Sequence, residues 1–135
     1  MKVNDLSVTF HTENIRECVD FYVQYFNVQV VFDAGWYVTI RFQNELKPGL
    51  LLSFIDPAHS DKRMFTGGMS VNLRVKDVDR EYERFKQAGF SFLEDIEDHD
   101  WGDRGFSISD PIGNLVYIYS EREISEKYKE AVREI

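Results

Sequence analysis

Three histidines and one cysteine are the residues of this 135-residue chain most able to ligate a metal or act as nucleophiles. No H-x-x-x-H or C-x-x-C spacing brings two of them together. His11 follows Ser7 and Thr9 with strand alternation, so these three side chains share a face. There, His11 either lines a site or stands as an ordinary strand histidine at a sheet rim. His59 falls in a connecting stretch and His99 in an acidic loop. Cys18 lies on an apolar helical stripe, where a thiol is inert packing.

A second set of residues suits binding better than bond-making. The segment "DPIGNLVYIY", Asp110–Tyr119, reads as a turn followed by a strand. Its alternation puts Tyr117 and Tyr119 on one face and Val116 and Ile118 on the other. Two further stretches read as loops that carry rings. One, "FDAGWYVTIRF" from Phe32, holds Trp36 and Tyr37. The other, "LEDIEDHDWGDRGF" from Leu93, sets Trp101 among Glu94, Asp95, Glu97, Asp98, Asp100 and Asp103. Flat rings beside carboxylates suit a planar cation, through stacking, cation–π attraction and Coulomb steering. The competing readings are an acid run that solvates its loop and tryptophans that pack a core. Arg74 and Arg104 would stand beside a cation only when paired with acids, and they leave an anionic ligand open.

The elements that must position these residues come from an internal repeat. "SVTFHTENI" from Ser7 and "SVNLRVKDV" from Ser70 align without gaps at an offset of 63, and "GLLLSF" from Gly49 and "GNLVYI" from Gly113 at an offset of 64. Two copies of this length imply a duplicated α+β unit and not a solenoid. Each copy starts with a half-buried strand, Val8 and Phe10 in one, Val71, Leu73 and Val75 in the other. Asn14 and Asp77 are suited to cap the helices that follow. The helical stripes are Ile15, Cys18, Val19, Tyr22, Val23 and Phe26, then Val78, Tyr82, Phe85 and Ala88, with Gly89 placed for a C-cap. "GWYVTIRF" and "RGFSIS" read as further strands. Near the end, Ile124, Tyr128 and Val132 are spaced to dock a tail helix.

Composition bounds the partners. A net charge of −8 argues against nucleic acid and anionic membrane, and 43% hydrophobic residues are enough for a core in one domain. No apolar run reaches the roughly 20 residues of a membrane span. The first residues lack a signal-peptide pattern, and a lone cysteine makes no intramolecular disulfide. A cytoplasmic location is expected.

The tandem pattern, with "RVKDVDREYERFKQAGF" at the second helix and "WGDRGFSISDPIGNLV" near the end, resembles the vicinal oxygen chelate superfamily. That group includes glyoxalase I, extradiol dioxygenases and bleomycin-resistance proteins. The resemblance implies an α+β fold of tandem βαβββ modules, with curled mixed sheets around a cleft and helices outside. A C-terminal helix is added to that frame. Module one would span about 4–56, a linker 57–67, module two 68–121 and the tail helix 124–134 of a single domain. Metal-dependent members hold one divalent ion with ligands from the first and last strand of each module. Those positions fall on Ser7, Ser53, Ser70 and Tyr117. Neutral hydroxyls are poor ligands for a hard cation, and a tyrosine must first lose a proton of pKa about 10.

No metal or other cofactor is therefore expected. The cleft would be lined by Ser7, Thr9, His11, Trp36, Ser53, Ser70, Asn72, Arg74, Trp101, Arg104, Tyr117 and Tyr119. The expected function is sequestration of a small aromatic or cationic molecule by a homodimer, as in bleomycin-resistance proteins. The alternative is a lyase, isomerase or dioxygenase of the same superfamily that uses a shifted metal site or His11 as its catalytic residue.

Overall fold

The computed structural model of the chain describes residues 1–44, 50–59 and 64–133. Gly49, part of the expected linker and the last residue of the expected tail helix lie outside them. The chain divides into two compact units, Met1–Gly67 and Gly68–Ile135.

In the first unit the order is β1 (Val8–His11), α1 (Ile15–Phe26), β2 (Gln29–Asp33), β3 (Tyr37–Arg41) and β4 (Leu51–Ile55). The sheet order is β1-β4-β3-β2, with β1 parallel to β4 and the other pairs antiparallel. A parallel neighbour needs a long crossover, and α1 with β2 and β3 supplies it. Ile15, Cys18, Val19 and Tyr22 of α1 are buried along with Phe10, Val38, Ile40, Leu52 and Phe54 of the strands. Each such large apolar side chain contributes about 1.5–3 kcal/mol on burial. Tyr22 and Phe10 both pack rings on Phe54, at centroid distances of 6.1 and 6.0 Å. The buried Cys18 thiol is part of this packing, as its stripe implied. Asn14 precedes α1 but makes no side-chain cap bond. The Thr12 hydroxyl instead accepts from the Asn14 backbone N–H, at 3.0 Å.

The second unit repeats the plan. Its order is β5 (Ser70–Arg74), α2 (Val78–Gln87), β6 (Glu94–His99), β7 (Asp103–Ser109) and β8 (Leu115–Glu121), with sheet order β5-β8-β7-β6. Asp77 caps α2, its carboxylate accepting from the Arg80 backbone N–H at 3.1 Å. Gly89, at φ +85°, ends the helix as the C-cap expectation required. Val78 and Phe85 face the buried Phe106, Ile108, Val116 and Ile118.

The turn "DPIGN" is closed by Asp110, whose carboxylate accepts from the backbone N–H groups of Ile112 and Asn114 at 3.1 and 2.8 Å. It also accepts from the Asn114 side-chain amide at 2.8 Å. Both side chains are buried.

Two expectations change. The acidic stretch read as a loop is β6, an edge strand. Its partner β7 supplies the pairing, and the acids themselves remain mostly exposed. Charged side chains on an edge strand also discourage pairing with other chains. The tail helix is shorter than 124–134: α3 covers Glu126–Lys129 only. Tyr128 meets the Trp101 ring at 6.5 Å, but Val132 is exposed and does not dock. Among the described residues, no helix is long and apolar enough to cross a membrane.

Candidate functional site

Alternation divides sheet β5-β8-β7-β6 into two chemically different faces. Val116, Ile118 and Ser120 of β8 and Phe106 and Ile108 of β7 are buried on one. The other carries Asn72 and Arg74 of β5, Tyr117, Tyr119 and Glu121 of β8, Asp103, Gly105 and Ser107 of β7, and His99 of β6. Their register rows are Asn72–Tyr117–Ser107 and Arg74–Tyr119–Gly105.

The centre of this face is Asp103. One carboxylate oxygen accepts from the Tyr117 hydroxyl at 2.6 Å and pairs with His99 Nδ1 at 2.8 Å. The other accepts from the Trp101 indole N–H at 2.9 Å. The Tyr117 hydroxyl also lies 3.1 Å from His99 Nδ1. On the far side of the imidazole, Nε2 lies 3.1 Å from Glu97. Trp101 stacks on His99 with ring centroids 4.3 Å apart and planes 6° apart. Tyr117 and Tyr119 stack at 5.5 Å. Burial raises the Tyr117 pKa, and its bond to Asp103 raises it further, so the phenol stays neutral and donates. Burial opposes charge on His99, but hydrogen bonds to Asp103 and Glu97, and their charges, outweigh it and raise its pKa.

Gly105 makes room for this arrangement. A Cβ there would lie 2.5 Å from both Cζ and Oη of Tyr117 and 2.8 Å from the Ile118 carbonyl oxygen. Glycine in a strand interior is explained here by the ring that crosses it.

The corresponding face of the first unit is a hydroxyl cluster. Thr9, Ser53 and Thr39 share a register row. Thr39 Oγ1 and Ser53 Oγ are 2.7 Å apart, and Thr9 Oγ1 is 3.3 Å from the Tyr37 hydroxyl. Hydrogen bonding from Ser53, then from Thr9, pulls the Tyr37 pKa below its ordinary value against the effect of burial. Half-buried His11 belongs to the same face, in the row of Ile55 and Tyr37.

The structure thus groups Thr9, His11 and Ser53 on one sheet face and Asn72, Arg74, Tyr117 and Tyr119 on another. Ser7 is exposed ahead of β1, and exposed Ser70 opens β5. Trp36 stacks on His59 at 5.2 Å. Arg74 pairs with Glu121 at 2.9 Å. Arg104 does not share the Tyr117 face: it alternates with Asp103 and Gly105, and its guanidinium is held by Asp79 of α2 and by Asp98. Sequence reasoning set Glu97 and Asp103 among the acids beside Trp101 but did not bring them, with His99 and Gly105, onto the Tyr117 face. The signal was present in the period-two placement of Glu97 and His99, which acidity disguised as a loop.

Residues 6–118 match the Glyoxalase/Bleomycin resistance protein/Dioxygenase superfamily. The chain belongs to this superfamily. A superfamily member from Sphaerobacter thermophilus DSM 20745 shares its fold at a TM-score of 0.70 and 22% identity, over 89% of this chain and 98% of that one. A lactoylglutathione lyase from Agrobacterium tumefaciens matches at a TM-score of 0.69 and 18% identity, over 88% and 95% of the two chains. TioX from Micromonospora sp. ML1 matches at 0.65 and 19%, over 88% and 99%. No curated protein matches.

Metal-dependent members of the superfamily set a test for the donor atoms. Ser53 is engaged with Thr39, and Tyr117 is a neutral donor to Asp103. Ser7 and Ser70 add only neutral hydroxyls. Among the described residues, no group of three or more His, Cys, Asp or Glu side chains is placed to hold a metal ion. These donors do not fit a divalent cation.

Proposed function

We propose that this superfamily member binds a small aromatic or cationic molecule without a metal, on the Tyr117 face of its second unit. The observation that carries the reading is Tyr117 itself. At the position where metal-dependent relatives would place a ligand, the chain has a protonated phenol bonded to Asp103 and stacked on Tyr119. Beside it, Trp101 presents an exposed ring over His99, and Glu97 and Glu94 add negative charge. Rings and carboxylates on one surface favour a planar cation over an anion.

Proflavine, a planar aromatic cation, is a suitable probe. Saturable binding by fluorescence titration is expected, weakened about fivefold to tenfold in Trp101→Ala through loss of one stacking contact. Non-saturable binding, or an affinity in Trp101→Ala and Tyr119→Ala unchanged from the parent, would sink the proposal.

A further inference from the structure

His99 has an arrangement that ligand binding does not require. Its side chain is 10% exposed and Asp103 is 13% exposed, so this ion pair is close to buried. Each ring nitrogen faces a carboxylate, Nδ1 that of Asp103 and Nε2 that of Glu97. An imidazolium donates from both nitrogens, whereas neutral imidazole donates from one and would turn a lone pair toward the other carboxylate. Trp101 is tied to the same pair twice, by its stack on His99 and by its indole N–H bond to Asp103. The tip of the β6–β7 hairpin then bonds the tail, through Ser125 N–H to the Asp100 carbonyl at 3.0 Å and Arg122 N–H to the Gly102 carbonyl at 2.8 Å.

We propose that His99 is a pH-operated latch: protonated, it pins Trp101 and the tip of the β6–β7 hairpin to the sheet, and on losing its proton it lets the indole loosen. The charged and titratable groups that face it are Glu97 from β6, Asp103 from β7 and Tyr117 from β8. Glu94 acts one step away, on Tyr117. Tyr117 stays neutral while His99 titrates, so the change of charge belongs to the imidazole. Because the folded state favours the protonated ring, the latch is closed at acidic pH and opens as pH rises through a folded value above the ordinary histidine 6.5.

The test uses the full chain with Trp36→Phe, which leaves Trp101 as its tryptophan. Tryptophan emission and acrylamide quenching are followed from pH 5.5 to 9, with the His99 ring proton shifts recorded by NMR. A stacked imidazolium quenches indole emission more than neutral imidazole does. Emission and acrylamide access are therefore expected to rise together, at one midpoint above 6.5 shared with the His99 ring. Exposed Glu97→Gln is expected to shift that midpoint downward, and His99→Gln to abolish the transition. A pH-independent Trp101, a transition that survives in His99→Gln, or a midpoint unmoved by Glu97→Gln would overturn the latch.

Discussion

Gly105→Ala is expected to push Tyr117 off Asp103. The added methyl would meet the phenol at 2.5 Å and the Ile118 carbonyl at 2.8 Å, so the ring or the strand must shift. Overpacking of this kind costs about 1–3 kcal/mol, or about 3–11 °C in melting temperature for a domain of this size. Thermal unfolding measures the loss, and a double-mutant cycle assigns it. In a Tyr117→Ala background the cost of alanine at 105 is expected to fall by about half or more, because the ring that it strikes is gone. Equal costs in both backgrounds would show that the ring does not cross Gly105. Proflavine affinity is expected to fall in Gly105→Ala as well, since Tyr117 can no longer lie flat on Tyr119.

Asp103→Ala is the second large effect. This carboxylate serves the Tyr117 hydroxyl, the His99 imidazole and the Trp101 indole, and alanine leaves all three without their acceptor. An unsatisfied buried donor costs about 1–3 kcal/mol. The Trp101 indole is exposed enough for water to offset part of the loss, so a total of about 3 kcal/mol is expected. Asp103→Asn keeps an acceptor but removes the charge, and is expected to cost less than alanine and to lower the His99 pKa. Urea unfolding of the two variants beside the parent checks both. A loss below about 1 kcal/mol in Asp103→Ala would place the cluster on the solvated surface and not at the centre of the site.

The repeat made most of the fold legible. Ser7 and Ser70 marked equivalent first strands, and the glycines at 49 and 113 marked equivalent last strands. Alternation then fixed which residues of β8 face the Tyr117 surface. The rest was hidden for physical reasons. Acidic residues have poor strand propensity, so Glu94–His99 read as a loop, although it pairs along β7. The same error concealed His99, which meets Asp103 through strand register and not through helical spacing. Asn14 was suited to cap α1, but Thr12 supplied the local bond instead. Arg104 reads in the sequence as a cleft-lining residue, but its own alternation with Gly105 places it toward α2, where Asp79 holds it. The tail pattern of Ile124, Tyr128 and Val132 overstated α3, because Tyr128 finds a ring to pack on and Val132 does not.

Metal independence is the central claim, and one measurement reaches it directly. The chain is purified without chelator, its zinc, nickel, iron and manganese are quantified per protein, and proflavine is titrated before and after exhaustive chelation and after addition of each metal. Metal well below one equivalent, with the same saturable affinity under all conditions, is the expected result. A stoichiometric metal, or binding that disappears on chelation and returns with one divalent ion, would contradict the account.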